Sequence, residues 1–223
     1  MAVEVRDPRP AACDGSATRA RGRPRLLAPE PWEFELLRLI AEQGAIPFDQ
    51  LARFLEGDER QAASMVKHLT KVGYADYGRF LHGEPHWAWL TGRGARLSAT
   101  GFAARRPKVG AMARMRAVNE VRLHIARRAP EARWIGPRSV VREQGKTGYR
   151  PNAVVEIGSE RHAIVVHLRA GDQERTRDII ETHMARYDAL IAFAKPVPLA
   201  VLKRLQSQNH WPKLVIRPIP TPP

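Results

Sequence analysis

One stretch, Arg150-Pro-Asn-Ala-Val-Val-Glu-Ile-Gly-Ser-Glu-Arg-His-Ala-Ile-Val-Val-His-Leu-Arg-Ala-Gly171, holds two β-rich runs, 153–157 and 162–168, around the connection Gly158-Ser-Glu-Arg161. Branched residues bounded by turn residues are the sequence form of a hairpin. This hairpin commits the second half of the chain to a sheet. Ahead of it the spacing predicts a long helix over 108–128, with Met112, Met115, Val118, Val121 and Ile125 on its stripe and Leu123 to one side. Ala129-Pro130 stops that helix, a strand is expected around 133–142, and Gly145-Lys-Thr-Gly148 reads as a turn. After the hairpin come helices over 172–187 and 198–206 and strands over 189–193 and 214–217. Residues 218–223 are a proline-rich tail that cannot extend a sheet. The expected order is α-β-β-β-α-β-α-β, a mixed sheet with helices on its faces.

The first half reads differently. Trp32, Leu36, Leu39 and Ile40 fall at helical spacing and Gly44 supplies a stop. A shorter helix is expected from Phe48 to Leu55. Asp58 then offers an N-cap for a third helix running to Val72. Its apolar stripe is Ala62, Met65, Val66, Leu69 and Val72, while Arg60, Gln61, Ser64, Lys67, His68 and Lys71 face away. Strands over 74–80 and 86–90 surround the turn His82-Gly-Glu-Pro85, and Thr91-Gly-Arg-Gly94 leads into a short helix. Three short helices and a β-hairpin form the winged-helix layout of the helix-turn-helix group. On that reading the six outward residues of the third helix contact base edges and phosphates, with Arg79 and His82 on the wing. The plainer alternative is a solvated polar face on a small domain that binds protein.

Charge narrows the partners. The formal net charge is +14, with 37 Lys and Arg against 23 Asp and Glu, and such a surplus most often answers nucleic acid and less often an anionic membrane. No apolar run approaches the roughly 20 residues of a membrane-spanning helix, and the N-terminus lacks an apolar signal core. Cys13 is the single cysteine, which leaves no disulfide or multi-thiolate zinc site within one chain; a reducing cytoplasm fits. Residues 1–29 are rich in Pro, Arg and Ala and read as a disordered basic tail. Within it Arg21-Gly-Arg23-Pro-Arg25 resembles an AT-hook, whose arginines enter a narrow minor groove; the alternative is an arm that touches phosphates without preference.

The α-β-β-β-α-β core resembles the restriction-endonuclease-like nucleases, the PD-(D/E)xK group. A winged helix ahead of such a core looks like the replication-relaxation family of bacterial plasmids and integrative elements. The likeness spans about 30–217 and rests on Asp49-Gln-Leu-Ala-Arg53, on Ala117-Val-Asn-Glu-Val-Arg122 and on Arg150-Pro-Asn-Ala-Val-Val-Glu156 running on to Tyr187. It implies an α+β chain: a basic tail at 1–29, a winged helix at 30–104, a nuclease-like domain with a mixed sheet at 105–218 and a tail at 219–223. Active nucleases of this group place an Asp after the Pro, and an acid two residues before a Lys or Gln on the next strand. Carboxylates there hold Mg²⁺, a hard cation that prefers oxygen ligands. Here Asn152 takes the first place, His167 the second and Arg169 the third, and Glu156 is the one carboxylate expected near them. An amide, an imidazole and one carboxylate make a poor Mg²⁺ site.

The resulting expectation is a DNA-binding protein acting in replication, transfer or transcriptional control on a mobile element, with a non-catalytic nuclease-like domain. Its expected partner is double-stranded DNA, with a homodimer second; no membrane, small-molecule substrate, cofactor or metal is expected. Two other classes stay open. One is a metal-dependent nickase with a site rewired through Glu156, His167 and Glu143, and the other is a protein-binding module indifferent to DNA.

Overall fold

The computed structural model describes residues 29–145 and 147–221. In the first half α1 (Pro31–Gln43), β1 (Ile46–Pro47), α2 (Phe48–Phe54), α3 (Glu59–Lys71), β2 (Ala75–Gly78), β3 (Trp87–Leu90) and α4 (Gly92–Leu97) follow in order. Local chemistry sets their starts. Pro31 occupies the first turn of α1, where a missing N–H costs nothing, and the Glu33 carboxylate accepts from the Glu30 backbone N–H at 2.7 Å. Asp58 caps α3 by accepting from the Gln61 N–H at 2.8 Å. Thr91 caps α4, and its hydroxyl donates to the Gly73 carbonyl at 2.8 Å. Gly94 sits flush against the Tyr74 carbonyl: a Cβ there would lie 1.9 Å from that oxygen.

The strands form an antiparallel sheet in the order β1-β3-β2. β3 is buried on both faces. Ala88 and Leu90 pack with Leu36, Leu51, Val66 and Leu69 of the three helices, while Trp87 and Trp89 face the opposite way, onto Met112 and Met115.

The second half runs α5 (Val109–Arg128), β4 (Arg133–Ile135), α6 (Pro137–Gln144), β5 (Ala153–Ile157), β6 (Glu160–His167), α7 (Gln173–Arg186), β7 (Ala189–Ala194), α8 (Pro196–Gln208) and β8 (Leu214–Pro218). Five strands make one mixed sheet in the order β4-β5-β6-β7-β8. The β4-β5-β6 ladders are antiparallel and the β6-β7-β8 ladders parallel, so β6 is where the direction of pairing changes. Alternation divides the sheet into two faces. Ala153, Val155, Ile164, Val166 and Phe193 meet Val118 and Val121 of α5, and Val154, Ala163, Val165, Leu190 and Ala192 meet Ile180, Leu202 and Leu205 of α7 and α8.

Several expectations are corrected. The strand over 133–142 stops at Ile135 and gives way to α6, because Pro137 has no N–H for a ladder and its fixed φ suits a first helical turn. The helix buries Val140 and leaves Val141 outside, which adds an α between the first two strands of the expected order. The hairpin turn is only Gly158-Ser159; Glu160 and Arg161 already pair with Ile157 and Glu156. Gly158 has φ 59°, the conformation that a two-residue type II′ turn demands at its first position. β6 ends at His167, one residue short of the expected 168. Pro218 belongs to edge strand β8, opposite Ala194, instead of opening the tail. β2 and β3 are shorter than 74–80 and 86–90, and β1 was not expected.

α5 carries both halves. Its Met112 and Met115 cover the β3 tryptophans, and its Val118 and Val121 cover the large sheet. A third side meets α2 through a buried polar cluster. The Glu120 carboxylate accepts from Arg53 at 2.7 and 2.8 Å and from the Gln50 amide at 2.7 Å. Gln50 in turn accepts from Asn119 at 3.1 Å and donates to the Arg116 carbonyl at 2.9 Å. Asp49 pairs with Arg116, and Glu42 of α1 with Arg122 at 3.3 Å. Asp49-Gln-Leu-Ala-Arg53 and Ala117-Val-Asn-Glu-Val-Arg122, singled out separately in the sequence, therefore lie against each other.

Glu120 is 5% exposed, so truncating it takes one acceptor from Gln50 and leaves a largely covered Arg53 without its carboxylate. Glu120→Ala is expected to cost about 3 kcal/mol, the lower end for breaking a buried pair. Arg133→Ala breaks a pair whose arginine is 75% exposed, and costs under about 1 kcal/mol. Thermal melts of the two variants check the difference; equal melting midpoints would contradict the assignment.

Candidate nucleic-acid interface

Arg60, Gln61, Ser64, Lys67, His68 and Lys71 are all exposed on α3, as the stripe of Ala62, Val66 and Leu69 requires. They are not equivalent. His68 turns back to α1, where its Nε2 lies 2.8 Å from the Glu33 carboxylate and its ring 5.5 Å from that of Trp32. Gln61 folds over Gly57, its Oε1 filling the space a Cβ there would take. Glu56, Asp58 and Glu59 place three carboxylates at the N-terminal end of α3. The cationic part of the face is thus Lys67 and Lys71 in its last turns, with Arg60 beside the carboxylates. None of these three cations joins an ion pair among the described residues. Arg79 and His82 are exposed in the connection between β2 and β3. Arg21, Arg23 and Arg25 lie outside the described residues.

In the second half the four positions drawn from the nuclease resemblance separate. Glu156 sits at the hairpin end of β5, paired with Arg133 at 2.9 Å and Arg161 at 3.2 Å. His167 is six residues beyond Arg161 along β6, about 20 Å away at the rise of a strand. Glu143 also pairs with Arg161, at 3.2 Å. The expectation that Glu156 stands near Asn152 and His167 is therefore overturned, and the rewired set of Glu156, Glu143 and His167 is not assembled. Among the described residues no three His, Cys, Asp or Glu side chains gather as metal ligands do.

Asn152, His167 and Arg169 do come together. They line a cleft of about 520 Å³ at the carboxyl ends of β6 and β7. Asn152 extends the sheet by one rung: its N–H donates to the Ile164 carbonyl at 2.7 Å, and its Oδ1 accepts from the Val166 N–H at 2.7 Å. The oxygen that would face a metal is committed to the backbone of β6, which leaves the Nδ2 donor. His167 is held uncharged at neutral pH, its pKa lowered from 6.5 by burial and then by Arg114.

Sequence reasoning missed the rest of this lining. Arg114 projects from α5, Arg150 precedes β5, and Lys195 follows β7 with its N–H on the His167 carbonyl at 3.0 Å. No Asp or Glu lines the cleft among the described residues. Lys195 carried a usable signal, because residues just past the carboxyl ends of parallel strands are where ligands bind in open α/β sheets. Arg114 carried none: it lies off the apolar stripe of a helix distant in sequence.

Near the cleft, His183 of α7 is fully buried, with its ring 6.1 Å from that of Tyr187. Neither ring nitrogen has a hydrogen-bond partner among the described residues. Burial, then Arg186 and then His167 lower its pKa from 6.5 to about 4.

No family model, curated protein or solved structure matches this chain.

An unfolded chain protonates His183 near pH 6.5, whereas the folded chain resists until about 4. The unfolded state binds the extra proton, so the titration of this group costs nothing above about 6.5 and drains stability as pH falls toward about 4. Melting midpoints between pH 7 and 4.5 are expected to fall less steeply for His183→Phe than for the unaltered chain. Parallel curves would remove His183 from the pH response.

Proposed function

We propose that this chain is a DNA-binding protein whose first half is a winged helix and whose second half is a nuclease-like fold without nuclease chemistry. The observation that carries the reading is α3. It is a well-capped amphipathic helix with a solvated Arg60, Lys67 and Lys71 face, packed against a β-hairpin whose connection carries Arg79. The order α1-β1-α2-α3-β2-β3, with β1 beside β3, supports the winged-helix part. In the second half, α5, β4, β5, β6, α7 and β7 follow the nuclease-like order, interrupted by α6. The tied Oδ1 of Asn152 and the distance of Glu156 support the non-catalytic part. Resemblance to the replication-relaxation family supplies the setting, a mobile genetic element whose replication, transfer or transcription the protein controls.

Affinity for duplex DNA is expected to fall steeply with salt, because each phosphate neutralised releases counterions. Lys67→Ser with Lys71→Ser reduces the slope of log affinity against log salt by about one for each phosphate that the variant no longer neutralises. Anisotropy titrations at three salt concentrations measure this, and binding that ignores salt would refute the reading. Supercoiled plasmid is expected to survive incubation with Mg²⁺ or Mn²⁺; nicking that disappears in Asn152→Ala would restore an enzyme.

A further inference from the structure

We propose that the cleft at the carboxyl ends of β6 and β7 is a phosphate site of its own, which takes a phosphodiester of a nucleic-acid strand directly onto protein cations. The proposal rests on the DNA-binding reading above for its source of phosphate, but on the cleft alone for its chemistry.

Four cations from four separate chain segments meet here: Arg114 on α5, Arg150 before β5, Arg169 after β6 and Lys195 after β7. Five arginines outside the cleft are paired with carboxylates. Arg53, Arg116, Arg122, Arg133 and Arg161 each have a carboxylate within 3.3 Å. None of the four cleft cations has one among the described residues, and no acidic residue among them lines the cleft. Like charges brought together without counter-charge repel, and an anion placed among them relieves that repulsion. Guanidinium forks match phosphate oxygens two at a time, and lysine adds a point charge.

Asn152 agrees with this charge pattern. With Oδ1 held by the Val166 N–H, Asn152, which lines the cleft, has Nδ2 as its remaining donor, suited to a phosphate oxygen and useless to a metal ion. His167 stays neutral, so the cationic character comes from groups that remain charged across physiological pH.

The surroundings favour a strand over a small solute. A second groove carries Leu81 and Glu84 of the β2–β3 connection and shares Ala113, Leu168 and Lys195 with the cleft. The shared residues set the two grooves side by side, and this is the route the proposal gives a strand from the hairpin of the first half to the cleft.

Two variants of the full chain test the site. Arg169→Ser with Lys195→Ser removes two exposed cations, and Asn152→Asp keeps the shape and the Oδ1 bond while exchanging the donor for a carboxylate. With EDTA present, both are expected to weaken duplex and single-stranded oligonucleotide binding about tenfold, and the double variant to flatten the salt slope by about one or two. Lys67→Ser with Lys71→Ser serves as the comparison on α3. A separate arm titrates inorganic phosphate and a dinucleotide while following the His167 ring resonances. Shifts seen in the unaltered chain and abolished in the double variant support the site, even should the duplex fail to bind, and a larger shift with dinucleotide than with phosphate assigns it to a strand. Unchanged oligonucleotide affinity in both cleft variants, or no shift of His167 with either probe, overturns the proposal. The α3 comparison then decides separately whether the DNA-binding reading stands.

Discussion

A buried carboxylate, Glu120, holds this molecule together across its two halves. It takes three hydrogen bonds from α2 through Gln50 and Arg53, in a position 5% exposed. The net stabilisation from such a pair is small beside the penalty for leaving either partner alone, since both charges lose water on burial. Its value is orientation. Apolar contacts between Met112, Met115 and the β3 tryptophans permit α5 to slide or rotate by a fraction of a turn. A carboxylate that must satisfy an amide and a guanidinium together does not. The relative placement of the α3 face and the sheet cleft follows from that one setting.

Legibility in the sequence tracked how local each signal was. α3 was readable because an Asp58 cap and Ala62, Val66 and Leu69 at spacings of four and three residues agree on one helix. The hairpin was readable because branched runs on either side of Gly158-Ser159 signal pairing whatever covers the two faces, both of which are buried. α6 was hidden because Val140-Val141 looks extended, and Pro137 can start a helix or break a strand. β1 has two residues and hence no period. The site suffered most. Glu156 is four residues from Asn152 in the chain, yet points into an ion-pair cluster at the other end of the strand, while Lys195 is distant in sequence and adjacent in space. His68 shows the limit on α3, since an outward helical position can still be claimed by a neighbouring helix.

Charge is distributed in a way that the net value of +14 conceals. α3 begins among carboxylates and ends among lysines, so its cationic end is also its dipole-negative end, where Lys71 serves the helix as well as any ligand. The sheet cleft has no such compensation. A carboxylate at position 152 alone would not make it a metal site, because four cations line the cleft.

The position of α5 also bears on how the chain can be taken apart. A helix that contributes side chains to three separate clusters makes those clusters one cooperative unit, since none keeps its packing once the helix departs. A cut anywhere in the connection between α4 and α5 would give a first half with the Trp87 and Trp89 rings bare to water, and a second half with Met112, Asn119 and Glu120 turned outward. Two large indoles on an exposed strand face are an invitation to aggregate. The boundary that looks natural along the chain is thus not a seam in three dimensions, and a soluble first half would have to keep a copy of α5 or replace its inner side.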